Sequence, residues 1–182
     1  MYGYGDADGS PADVSIPTLY DVYIRPWKAY VEAGGRGCMA SHNSVNGRPC
    51  HSSSWLLTDV FRTELGCDKC LIGTDFRDIE LLSDMNTANT TRYPGLPPDT
   101  DASIQALAAG VDQDLGGYSF SSLLPASEQG LLPKEGAGVH GIDRAAASVL
   151  RTKFAAGLFD QPYTDSSLLE NIDSREQAVK TI

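Results

Sequence analysis

Long hydrophobic runs are missing from this chain. No 18 consecutive apolar residues occur among its 182 residues, so no transmembrane helix is expected. The opening stretch, MYGYGDADGSPADVS, has neither a basic cluster nor an apolar core. It does not read as a signal peptide, and secretion would require a signal outside these residues. Basic residues are also scarce. Lys and Arg number 14 against 24 Asp and Glu, a net charge of -10. Nucleic acid and anionic membrane surfaces are therefore not expected partners, because phosphate recognition needs clustered Lys and Arg. A neutral ligand such as a sugar suits this balance. Cysteines are few: Cys38, Cys50, Cys67 and Cys70. Cys67 and Cys70 form a C-x-x-C, but no second pair or histidines at ligand spacing accompany it, so no metal site is expected. Residues 67 and 70 flank an apolar strand, where one of the two is expected to be buried. A disulfide between Cys38 and Cys50 is open on the sequence. No cofactor-binding motif is read, and none is expected.

What is present suits one ordinary domain. The chain is too short for a complete eight-fold βα barrel, which needs roughly 250 residues. Apolar content is 41% and charged content 21%, ordinary for a globular protein. After a Gly-, Asp- and Ser-rich start, Leu19, Val22, Tyr23, Pro26, Trp27, Tyr30 and Val31 recur at spacings of three and four. That predicts an amphipathic helix, kinked or split at Pro26 and stopped by Gly34 and Gly35. Residues 36–41 predict a strand. Asn43, Asn46 and Gly47 supply turn chemistry. A second helix is expected from Ser53 or Ser54, with Trp55, Leu56, Val60, Phe61 and Leu65 as its apolar positions and Gly66 as its end. Leu71 to Gly73 is short and continuously apolar, as buried parallel strands are. Helical segments follow near Ile79, over residues 101–110, in part over 118–132, and from Ile142 to Phe154. A very short strand starts at Gly110-Val111-Asp112.

Helices alternating with short apolar strands predict an α/β class with parallel pairing. Parallel α/β proteins place reactive groups at the carboxyl ends of their strands. Asp75 sits just past the strand at Leu71–Gly73 and is therefore the leading candidate. Read alone, it also fits an N-cap on the helix that follows. Asp78, three residues on, is the second candidate and is expected to be solvated.

Several stretches resemble the catalytic domain of glycoside hydrolase family 3, the β-glucosidase family. They are DVSIPTLYDVYIRPWKAYVEAG, CMASHNSVNGRPCHSSSWLLTDVFRTELG, LIGTDFRDI, AAGVDQDL and IDRAAASVLRTKFAAGLFDQPY, in that order. The resemblance implies the second half of a partial (β/α)8 TIM-type barrel over residues 1–159, its parallel strands flanked by helices. Residues 160–182 would be a linker and the start of a truncated helix. It also implies a retaining reaction on β-linked glucosides or related oligosaccharides. Such a reaction needs a carboxylate nucleophile about 5–5.5 Å from a carboxylic acid.

On this resemblance Asp75 matches the nucleophile. His42 stands where the family usually has a tyrosine; it is either a hydrogen-bond partner of Asp75 or a loop histidine without function. Phe76 stands where tryptophan is common and suits either sugar stacking or core packing. Ser41, His42, Phe76 and Asp8 are the substrate-binding candidates, whereas Asn43, Asn46 and Gly47 are expected to shape the turn. The family's Lys-His pair would fall just ahead of Gly3-Tyr4-Gly5, where Met1 and Tyr2 stand, and its acid/base is carried in a following domain. Glu170 and Glu176 match no acid position. The expected partners are therefore the other barrel half and the acid/base domain of a parent protein. An isolated chain lacking general-acid help would lose roughly 10²–10⁴-fold in rate. The alternative is a non-catalytic binding or structural module derived from a glycosidase half-barrel.

Overall fold

The computed structural model describes residues 11–84, 89, 91–132, 139–165 and 167. Asp8, Glu170 and Glu176 lie outside the described residues. The chain divides into two compact units, residues 1–152 and residues 153–182.

In the first unit Ser15 accepts the Thr18 N–H and starts α1 (Ile16–Thr18), a cap of the ordinary kind. The chain then widens into a π-type segment over Leu19–Ile24 and re-forms as α2 (Arg25–Glu32), with Pro26 in its first turn. The helical backbone runs on through this junction, Arg25 N–H bonding Tyr20 O across the wide turn. The expected split at Pro26 is not present: the winding changes at Arg25 without a break in the helical run. The expected apolar stripe is not buried as a unit: Leu19 and Ile24 are buried, whereas Val22, Tyr23 and Trp27 stay exposed. The wide turn rotates the 3.6-residue register, so the spacing of the apolar residues no longer maps onto one face.

β1 (Gly37–Met39) is shorter than the expected strand and leaves Ser41 beyond its end. β2 (Ser44–Val45) and β3 (Arg48–Pro49) form an antiparallel hairpin around Asn46 and Gly47. Both turn residues have positive φ, 51° and 77°, the conformation that Asn-Gly turns favour. The Asn46 side chain also accepts from Val14 N–H and donates to Val14 O, so it pins the incoming chain to the hairpin. A 3₁₀ turn over Cys50–Ser52 leads into a π-type helix, Trp55–Glu64. Ser53 Oγ accepts Leu56 N–H near its start. In this helix Leu57, Val60, Phe61 and Arg62 are buried, and Leu56 is only half-buried.

β4 (Leu71–Gly73) pairs parallel with β1, Cys38 opposite Ile72. On its other side Gly73 bridges Gln113, also parallel, so three chain segments run alongside one another. α3 (Asp78–Asp84) and α4 (Thr100–Ala109) follow, then a 3₁₀ turn, α5 (Leu123–Glu128) and α6 (Val139–Ala155). The core beneath the strands contains Leu57, Phe61, Ile72, Ile79, Leu82, Ala106 and Val111. A second cluster joins Ile104, Leu107, Leu123, Ala126 and Ala145. In the second unit Phe154 stacks on Phe159, ring centroids 4.1 Å apart.

The cysteines differ from the open expectation. Cys67 and Cys70 form the disulfide, and Cys38 and Cys50 are free thiols. The turn at Gly66, whose φ is 78°, brings the Cys67 and Cys70 Cα atoms to 5.2 Å, inside the range a disulfide can bridge. Both are buried, not one.

Candidate active site

β1, β4 and the Gln113 segment all end on the same side, at Ala40, Thr74 and Asp114. Ala40 N–H bonds Gly73 O at 3.0 Å and Thr74 N–H bonds Gln113 O at 3.0 Å, so the three ends are laced together. A cleft of about 490 Å³ runs along these strands from Gly37 and Leu71 to their ends, where Thr74, Asp75, Gln113 and Leu115 line it. Asp75 is the carboxylate among these residues. Its side chain is 53% exposed, and its Oδ1 accepts Phe76 N–H at 2.7 Å. Thr74, buried beneath, bonds Leu115 N–H through Oγ1 and fixes the strand end to the next loop.

His42 meets Asp75. Its Nε2 lies 3.5 Å from Asp75 Oδ2, and its other nitrogen, Nδ1, lies 2.5 Å from Asp78 Oδ1. Asp78 is therefore not the solvated side chain that its place on a helix start suggested. It is 1% exposed and accepts Asp75 N–H through Oδ2 at 2.7 Å. Arg77, at φ 61°, turns the chain so that this carboxylate folds back over the loop. Left-handed backbone at a non-glycine residue costs roughly 1–2 kcal/mol, and it persists where the surroundings hold it. His51, from the 3₁₀ turn, completes the cluster with Nε2 3.1 Å from Asp78 Oδ2. That distance suits an ion pair, although the ring nitrogen is not aligned for a hydrogen bond. Burial pushes the Asp78 carboxyl up, but His51, the Asp75 N–H and His42 outweigh it and hold it below the usual carboxylate range. Asp78 is thus ionised at neutral pH and cannot serve as a proton donor.

The other candidates fall around this cluster. Phe76 is 56% exposed, which removes the core-packing alternative. A Cβ on Gly116 would come within 2.8 Å of its ring, so the glycine loop sets where Phe76 lies. The Ser41 hydroxyl donates to Asn43 Oδ1. Sequence reasoning missed His51 and misjudged Asp78. The D-x-x-D spacing of Asp75 and Asp78 was the available signal, since an acidic side chain three residues on reaches back to a backbone N–H. His51 carried none, because its partner comes from a different element. Among the described residues no group of three or more His, Cys, Asp or Glu is placed to hold a metal ion.

The profile of the glycosyl hydrolase family 3 N-terminal domain matches residues 2–135. The chain belongs to this family. Among its curated relatives are a periplasmic β-glucosidase of Salmonella typhimurium and a β-xylosidase of Formosa agariphila. The first is 33% identical over 88% of this chain and 20% of the relative; the second is 34% identical over 84% and 21%. Among solved structures, a β-glucosidase from Erythrobacter marinus is 30% identical with a TM-score of 0.78, over 93% of this chain and 21% of that one. A β-glucosidase from Listeria innocua in complex with glucose is 26% identical with a TM-score of 0.76, over 91% and 21%. The chain spans about a fifth of the length of the curated relatives it matches. Its fold is a partial α/β barrel of the family 3 type, and Asp75 lies at the carboxyl end of β4, where such barrels place their chemistry.

Proposed function

We propose that these residues supply the nucleophile side of a retaining β-glycosidase site acting on β-linked glucosides or related oligosaccharides. Asp75 attacks the anomeric carbon: its oxygen forms the new bond while the bond from that carbon to the leaving oxygen breaks. The leaving oxygen takes its proton from an acid that we place outside these residues, in a further domain of a parent protein. Water then releases the sugar from Asp75 with net retention. The observation that carries this reading is a half-exposed carboxylate on the rim of a cleft at a strand end of a family 3 chain. His42 lies beside it as a polar partner, and Phe76 offers a ring to the sugar face. Ser41 and Asp8 are weaker substrate-binding candidates. The names of the curated relatives support glucose- or xylose-configured substrates.

We assign residues 1–159 to the barrel segment and 160–182 to a linker. The remaining barrel half is a proposed partner. Exposed Val22, Tyr23 and Trp27 support it, as does the second edge of β1, which has no partner strand among the described residues. The test uses the full-length parent protein and an aryl β-glucoside. Asp75→Asn should lower turnover on the order of 10⁴-fold or more, as loss of a central hydrolase residue does elsewhere. With Asp75→Gly, added azide should restore turnover and yield the α-glycosyl azide. Unchanged turnover in Asp75→Asn would remove Asp75 from the mechanism.

A further inference from the structure

Asp78 is a buried carboxylate that the proposed reaction does not use, yet three polar groups from three segments converge on it. They are Asp75 N–H, His42 Nδ1 and His51 Nε2. Starting α3 would require only the first of these. Surrounding one buried carboxylate with two imidazoles needs a further explanation, because each polar group taken from water must be compensated.

The explanation lies in which ring nitrogen of His42 carries hydrogen. An ionised carboxylate only accepts hydrogen bonds. With Asp78 ionised, the 2.5 Å contact to His42 Nδ1 requires a proton on Nδ1. The position left to gain or lose a proton is then Nε2, and Nε2 faces Asp75 Oδ2 at 3.5 Å. Were the tautomer reversed, two acceptors would meet at Asp78. We propose that Asp78 is a positioning residue of the site: it fixes the Nδ1–H tautomer of His42 and so aims the exchangeable ring proton at Asp75. The inference deepens the reading of Asp75 as nucleophile and rests on it.

With Nε2 protonated, His42 is a cation against the Asp75 carboxylate and holds it in place. When Nε2 loses its proton to solvent, a lone pair faces the carboxylate and that restraint ends. The ionisable groups grouped with His42 and Asp75 are Asp78 at the start of α3 and His51 from the 3₁₀ turn over Cys50–Ser52. α4, packed on α3, carries the buried Asp101, which is engaged by Arg92, Gln105 and Asn89 N–H.

The test takes the full-length protein with ¹⁵N-labelled histidine. The expected spectrum shows His42 protonated at Nδ1 across neutral pH, with Nε2 titrating. Asp78→Asn should weaken the Nδ1–H preference and move the corresponding ionisation in kcat/KM by about one unit. In a His42→Phe background, Asp78→Asn should move it no further, because its effect runs through the ring. A His42 ring protonated only at Nε2 would overturn the proposal, as would an equal shift in both backgrounds. If Asp78→Asn fails to fold, the wild-type tautomer and the His42→Phe profile decide it: loss of the ionisation supports the proposal, and an unchanged profile refutes it. The nitrogen spectrum needs no turnover, so a failed nucleophile assignment would show separately, as an active Asp75→Asn enzyme with the His42 tautomer intact.

Discussion

Asp78 and Asp112 are both fully buried carboxylates, and they do opposite work. Asp112 lies beneath the strands between two guanidiniums. Oδ2 pairs with Arg62 at 2.6 Å and accepts Ile72 N–H at 2.8 Å, and Oδ1 meets Arg144. Arg62 also bonds Cys70 O and Gly110 O, and Arg144 bonds Leu107 O and Val111 O. Burial and the neighbouring Arg62 press the Arg144 guanidinium below its ordinary value, against the pull of Asp112, yet guanidiniums keep their charge at any working pH. The knot is permanent and ties the π-type helix, β4 and α6 together. Asp78 is ringed instead by the imidazoles of His42 and His51, side chains able to exchange a proton, beside a cleft. Equal burial with fixed partners makes a rivet; with titratable partners it makes a setting that pH can alter.

The comparison can be broken most severely at the rivet. Asp112→Ala leaves Arg62 buried and uncompensated, and should cost about 3–5 kcal/mol. Urea unfolding at neutral pH should show the loss, because both guanidiniums stay charged there. Asp78→Asn should cost roughly 1–3 kcal/mol at neutral pH, with a different signature. The folded carboxyl is held below its ordinary value, so its contribution is present above the ordinary carboxylate range. It is lost as pH falls through the folded value, where the unfolded chain binds the extra proton. Wild-type stability should therefore fall more steeply than that of Asp78→Asn on acidification. Parallel curves would contradict the distinction.

Gly116→Ala should cost about 1–2 kcal/mol, since an L-residue would be forced to a φ of 72° against Phe76. It should disturb the cleft rim and leave the Asp112 knot alone. Asp114 sharpens the point with the reverse sign. Burial holds its carboxyl above the ordinary range against the Phe120 and Ser119 N–H groups. Its ionisation therefore removes stability as pH rises, and Asp114→Asn should flatten that loss in pH-dependent melting. The smallest effect concerns the free thiols. Burial pushes Cys38 to about 12, with Arg62 opposing, and Cys50 to about 11. Neither should react with a thiol reagent at neutral pH until the chain unfolds.

The strand at Leu71–Gly73, the Asn46-Gly47 turn and the Asp75 position were legible because each depends on neighbours in sequence. The π-type segments were not. Their wider winding buries Leu57 where a 3.6-residue register would favour Leu56, and it draws Arg62 into the interior. Buried charge was illegible for a related reason. Arg62, Asp112 and Arg144 come from separate elements, and so do His42, His51 and Asp78. Their meaning appears only once the strands bring those elements together.

The central claim is that Asp75 bonds the sugar, and trapping that bond tests it most directly. The full-length protein would be treated with a 2-deoxy-2-fluoro-β-glucosyl fluoride, digested and analysed by mass spectrometry. The account predicts a fluorosugar on the peptide carrying Asp75. A fluorosugar on any other residue, or continued turnover of an aryl β-glucoside with Asp75 never labelled, would contradict it.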